Sequence, residues 1–412
     1  MVEAVASGEV VIAVPVASRR SHRNRVVDRD RPDRRDFHDA RPPAGMDPRI
    51  HDHAETLVDW SARIERGDNV VLAVAEDAHD LAVAVAEELG ERGANVVTTY
   101  ASSEVSRAYL QAHDGDFDED PAHELALYEN ADSVLFLGGG RNTSATADVP
   151  GEKLQASSKA STGVREARMD TDWVSTVHPT RSLAQQAGMA YEEYQQFVYD
   201  AVLRDWEELA EQMAEMKDIL DAGSEVRIVK EDTDLTMNID NRVAVNSAAS
   251  VAYDSHNLPS GEVFTAPYAT EGTVFFDVPM TISGKRVQNV HLTFEDGEVV
   301  DFSAESGEEA LADVLDTDEG ARRLGELGIG MNRGIDRFTD NILFDEKMGD
   351  TVHLAVGRAY GSNFPEGHED EANESAVHVD MITDMSEDSR MEVDGEVVQR
   401  NGTFRWEDGF EG

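Results

Sequence analysis

The chain has 412 residues, 40% of them apolar, enough to bury sizeable cores in about two or three domains. Its 84 acidic residues outnumber 36 basic ones, a formal net charge of −48, which repels nucleic acid and anionic lipid at moderate salt. It contains no cysteine, so disulfides, thiolate nucleophiles and cysteine-held zinc or iron–sulfur sites are excluded, and any metal must rest on histidines and carboxylates.

The acids are spread along the chain, and the basic side is almost all arginine, with only six lysines. Self-repulsion on this scale is relieved where salt shrinks the Debye length, to roughly 3 Å at about 1 M. The expected cause is therefore the solvent, a salt-rich interior of halophilic type, and not a basic ligand. The longest apolar runs, VVLAVA (70–75) and SVLFLG (133–138), are too short to cross a bilayer. No basic flank precedes the weakly apolar GEVVIAVPVA at 8–17, so a cytoplasmic protein with no membrane partner is expected.

Residues 1–45 hold nine arginines and seven acids without any periodic apolar face. They read as a disordered extension, or as the product of a start codon placed too early, with Met46 opening the folded part. From there the pattern is α/β. HAETLVDWSARI (53–64) predicts a helix, GDNVVLAVA (67–75) a strand, and HDLAVAVAEELGERG (79–93) an amphipathic helix stopped by glycine. NVVTTYA (95–101), SVLFLGG (133–139) and WVSTVHPT (173–180) predict further strands, with helical ELALYENA (124–131) between the first two. Strands without clean alternation, separated by helices, point to a parallel sheet covered on both faces. GGGRN (138–142) reads as a structural turn, since it lacks a dinucleotide fingerprint or a phosphate-loop lysine. Residues 191–220 predict a long or broken helical stretch that ends at DAGS, a hinge. An α/β domain is thus expected over 46–223.

After Ser224 the texture becomes β-rich, with hairpins at DG and NG turns and interspersed helices such as GARRLGELG, so 224–412 predicts a mixed α+β domain. Here lies the chemistry. In SAVHVDMI (375–382), read as a strand, Val377, Val379 and Met381 share one face while His378 and Asp380 share the other. In TVHLAVG (351–357), His353 points away from Val352, Leu354 and Val356, beside the small Ala355 and Gly357. An imidazole and a carboxylate projecting together suit a metal, although a lone strand histidine is more often structural and there is no HExxH helix. His51, His53, His79, His113 and His123 read as solvated, and His368 as part of an acidic loop.

Longer blocks add a resemblance. MDPRIHDHAETLVDWSARIERGDNVVL, LPSGEVFTAP (258–267), RRLGELGIGMNRGIDRFTDNILFDEKMGDTVHLAVGRAYG (322–361) and NESAVHVDMI (373–382) resemble the aminopeptidase T/AmpS family, peptidase family M29, over essentially 46–412. By motif position, the resemblance implies metal-binding roles for Glu262, Glu326, His353, His378 and Asp380, and catalytic roles for Tyr360 and Glu326. It also implies two divalent ions, a carboxylate bridging them, peptide substrates with a free N-terminus, and a homodimer. Imidazole and carboxylate donors suit zinc, cobalt or manganese. Two departures from the family pattern are Asp340, where glycine is more familiar, and Val379, where an aromatic residue is more familiar. The rival readings are a metallo-dipeptidase on the same metal core, a nucleotide- or phosphate-binding α/β protein, which has no fingerprint or basic residue to receive a phosphate, and a catalytically dead scaffold, which the intact ligand set opposes.

Overall fold

The computed structural model describes residues 47–282 and 284–412, so the reading of residues 1–45 lies outside the described residues. The chain forms two compact units. One ends at Leu203 and is completed by Ala249–Pro259; the other combines Arg204–Ala248 with Ser260–Gly412.

Among the described residues, the first unit carries a five-stranded parallel sheet. Its order is Asn95–Ala101, Asn69–Ala75, Ser133–Gly138, Asp172–Val177 and Asn257–Leu258. Val70, Val71 and Leu72, like Val134 and Leu135, are buried on successive positions, so these inner strands are covered on both faces. Asn95–Ala101 differs: it is the edge strand, pairs on one side only, and stays largely exposed. Helix His79–Arg92 buries Leu81, Ala84, Val85 and Leu89, one stripe of its surface, and stops at Gly93 with φ 74. In the glycine-rich turn, Gly139 has φ 140 and its carbonyl accepts the Asp77 amide, which makes this turn a structural link between two strand ends.

His53 is not solvated. It lies on the inner face of helix Arg49–Glu55 with Ile50 and Ala54, and its Nε2 sits 2.7 Å from Thr176 Oγ1. Burial pushes its pKa down to about 3, so the ring is neutral near pH 7. The long helical stretch is broken into Tyr191–Val202 and Trp206–Ala222, the second capped by Asp205 accepting from the Glu208 amide at 3.1 Å. This second helix belongs to the second unit, where its Ala210 carbonyl accepts from Asn246 Nδ2 at 3.0 Å. The change in sequence texture falls at 223/224, while the compact units divide one helix earlier, because that helix packs its apolar face downstream.

Among the described residues, the second unit contains two sheets. The larger has nine strands in the order Met280–Ile282, Lys285–Glu295, Tyr268–Phe276, Thr233–Asn238, Glu225–Lys230, Arg390–Val393, Glu396–Arg400 and Thr403–Phe404, with Glu298–Ser306 pairing Lys285–Glu295. Its hairpins turn at Asp296-Gly297, Asp394-Gly395 and Asn401-Gly402, where both residues of each pair have positive φ, the backbone that Asp-Gly and Asn-Gly favour. The smaller sheet is antiparallel, in the order His378–Asp384, Thr351–Gly357, Leu324–Gly330, Glu262–Thr265 and Val245–Ser247. One of its faces is an apolar core of Val263, Leu327, Ile329, Val352, Leu354, Val356 and Met381, all fully buried. Val379, expected in that core, is only half-buried near the start of its strand.

Leu354 sits at the centre of this apolar face, paired with both Leu327 and Met381. Leu354→Ala should therefore destabilise the protein by about 2–5 kcal/mol. The check is a lowered urea midpoint with an unchanged denaturant slope.

Candidate metal centre

The other face of the small sheet carries the chemistry, and strand register explains how. Directly opposed residues on antiparallel strands point to the same side. Ala355 pairs with Glu326 on one side and with Asp380 on the other. His353 pairs with Gly328 and Ile382, Gly357 pairs with His378, and Glu262 pairs with Gly330. All five expected ligands therefore lie on one face although they come from four strands. Gly328 leaves the space that the His353 ring occupies, while Gly330 and Gly357 admit the backbone carbonyls of Met348 and Val377.

The ligand atoms form two triads, Glu262–Glu326–His353 and Glu326–His378–Asp380; within each, the atoms lie within 4.8 Å of one another. Glu326 is common to both. Its Oε1 is 3.0 Å from His353 Nε2 and its Oε2 is 3.7 Å from His378 Nε2. Glu262 Oε2 lies 3.6 Å from His353 Nε2, and Asp380 Oδ1 lies 3.5 Å from His378 Nε2. Both of those carboxylate oxygens are buried and have no hydrogen-bond partner. An orphaned buried carboxylate oxygen is costly unless a cation takes it, so the residues present fit divalent ions. His378 donates from Nδ1 to the Arg358 carbonyl at 2.8 Å, which fixes its tautomer and leaves the Nε2 lone pair facing the other ligands.

The electrostatics are those of crowded charge. Burial pushes the Glu262 carboxyl up, opposed by the adjacent Lys347 and His353. Burial would lower both His353 and His378, but the carboxylates around them raise each above the ordinary range. Burial would likewise raise Asp380, yet His378 holds it well below the usual carboxylate range. Tyr360 stands beside this group, its ring centroid 4.9 Å from that of His378 and 6.3 Å from that of Phe264. Burial first, then the charges of Glu326 and Asp380, push its hydroxyl well up, so it keeps its proton.

Three contributors escaped sequence reasoning. Gly328 lies beneath the His353 ring, and a Cβ there would collide with Cε1 and Nε2. Its signal was present in LGELGIG, where Gly328 and Gly330 alternate with larger residues on the face that carries Glu326. Lys347 and Glu346, in the DEK triplet, are both buried; Lys347 Nζ contacts Glu346 Oε1 and lies 3.6 Å from Glu262 Oε1. Nothing in local periodicity marks a buried lysine. Asp340, where glycine is the more familiar residue, has φ 59, a left-handed backbone that aspartate tolerates better than most residues. Its carboxylate accepts from Thr281 Oγ1 at 2.8 Å and pairs with Arg286 at 3.2 Å.

Gly328→Ala should push the imidazole off its ligand position. Metal binding should weaken by at least about tenfold, and the overpacked site should lose about 1–3 kcal/mol of stability. Calorimetric titration of the metal-free protein, with thermal unfolding alongside, checks both.

Comparison with known proteins places the chain among metallopeptidases. The chain is 30% identical to aminopeptidase T of Thermus aquaticus over 390 residues, covering 83% of this chain and 93% of that protein. It is 27% identical to aminopeptidase AmpS of Bacillus subtilis, covering 86% of this chain and 98% of that one. The solved structure of wild-type AmpT from Thermus thermophilus superposes with a TM-score of 0.76 at 26% identity, covering 87% of this chain and 99% of that one. The family model described as thermophilic metalloprotease (M29) matches residues 46–404, and the chain belongs to that family.

Proposed function

We propose that this protein is a metal-dependent aminopeptidase in which Glu262, Glu326, His353, His378 and Asp380 hold two divalent ions. The observation that carries the reading is the pair of triads meeting at Glu326. The kinship with aminopeptidases T and AmpS supports the choice of substrate, peptides with a free N-terminus. Imidazole and carboxylate donors favour zinc, cobalt or manganese. We further infer a homodimer, as the family resemblance implies, and a salt-rich cytoplasm, supported by the net charge of −48. Among the described residues no helix is long and apolar enough to cross a membrane.

When bound, two such ions supply Lewis acidity to the scissile carbonyl and lower the pKa of the attacking water towards neutrality. The chain's own residues do the rest. Glu326, reaching both triads, orients the water against the carbonyl carbon. The hydrogen bond from His378 Nδ1 to Arg358 keeps that ring from turning. Tyr360, protonated and half-buried, donates a hydrogen bond to the oxygen that gains negative charge as water adds. The C–N bond then breaks and the amine leaves with a proton from the water.

A tetrapeptide separates the rival metallopeptidase: stepwise release of single N-terminal residues supports an aminopeptidase, whereas activity confined to dipeptides would make it a dipeptidase. On the same substrate, His378→Ala and Asp380→Asn should lose both metal occupancy and turnover. Tyr360→Phe should keep its ions while kcat falls by about 10²–10³. Elemental analysis beside initial rates reads all three, and near-normal rates with full occupancy in His378→Ala would refute the ligand assignment.

The charge of the chain generates a second expectation. The thermal midpoint should rise as KCl is taken from about 0.1 to about 3 M, through screening and then salting-out. A flat midpoint would remove the salt-adapted reading.

A further inference from the structure

Lys347 is fully buried, yet it is a cation on a flexible stem that normally keeps its charge in water. Its ammonium lies between two buried carboxylates, contacting Glu346 Oε1 and standing 3.6 Å from Glu262 Oε1. Glu262 is thereby divided. One oxygen faces the lysine, and the other, without a hydrogen-bond partner, faces His353 Nε2. A carboxylate with one oxygen beside a buried ammonium is held back electrostatically from turning, so the second oxygen is aimed.

The backbone makes this grip rigid. The Asn332 amide donates to the Lys347 carbonyl at 3.2 Å, and Asn332 Nδ2 donates to the Ser260 carbonyl at 2.8 Å. The Met331 amide donates to the Gly261 carbonyl at 2.8 Å. Residues 331 and 332 therefore tie the backbone immediately before Glu262 to the backbone of Lys347. Gly261 is required here: it has φ 115, and a Cβ would press on Asn332 Cβ. The lysine and the glutamate are fixed to one support.

We propose that Lys347 is a positioning residue of the metal centre, holding Glu262 Oε1 so that Oε2 is presented to the ion shared with His353 and Glu326. The proposal rests on the two-ion reading above. Lys347 is fully buried, so its effect should appear in ion binding before it appears in catalysis.

The experiment titrates Co²⁺ into the metal-free, full-length protein and follows the visible absorption of bound cobalt, for wild type, Lys347→Met and Lys347→Gln. Wild type should take two ions. Lys347→Met should bind one ion normally and the other at least about tenfold more weakly, with an altered absorption band. Lys347→Gln keeps a polar amide beside Glu262, so it should fold even where the methionine variant fails, and should lose less affinity. Either variant, once folded, binding both ions with wild-type affinity and spectrum would overturn the role of Lys347. Wild type taking fewer than two ions would instead sink the two-ion reading itself.

Discussion

Three buried carboxylates, the buried imidazole of His353 and the half-buried one of His378 share one face of a small antiparallel sheet and set the terms for everything around them. In a low-dielectric interior, like charges so close repel strongly unless cations lie among them. The surrounding structure answers this demand in several ways at once. Gly328 makes room for the His353 ring, a backbone carbonyl orients His378, and a buried lysine stands behind Glu262. The opposite face of the same strands is mostly apolar, so the sheet is anchored by its core while the ligands share the other face. Precision in such a site comes from strands whose register cannot slip, since a slip of one residue would turn every ligand into the core.

The parts legible in the sequence were those governed by period. Alternation in SAVHVDMI and TVHLAVG placed His378, Asp380 and His353 on polar faces, and the unbroken apolar runs at 70–75 and 133–138 announced a sheet covered on both sides. The Asp-Gly and Asn-Gly turns were equally plain, because only a few residues adopt two successive positive φ values without strain. Glu262 and Glu326 carry no such mark. A glutamate among more than eighty acids is invisible to pattern, and family resemblance alone singled these two out. Lys347, Glu346 and Gly328 stayed hidden for a different reason, since each matters through a neighbour that only folding brings close. His53 was misread because short-helix periodicity does not reveal which side the rest of the chain will cover. The helix at Trp206–Ala222 was seen, but the unit it serves depends on Asn246 and other residues far along the chain.

Charge operates in this molecule on two scales that scarcely communicate. On the surface, acids exceed bases widely, and their interactions fade within the Debye length of the solvent. At the centre, distances of 3.0–3.7 Å between buried groups are beyond the reach of mobile ions other than those the site admits. Salt can therefore govern how firmly the protein holds together while leaving the alignment of Glu326 and the two histidines to the sheet itself.

The scatter of the ligands along the chain has a consequence for biogenesis. Glu262 leaves the ribosome well before Asp380, and the strand bearing His378 and Asp380 occupies the outer edge of its sheet. Contacts of such high sequence separation form slowly and late. A nascent chain thus holds Glu262 long before His378 and Asp380 exist, and the second triad closes only once their strand has been made. The order of the strands puts the last ligands to be synthesised on a strand with a neighbour on one side only.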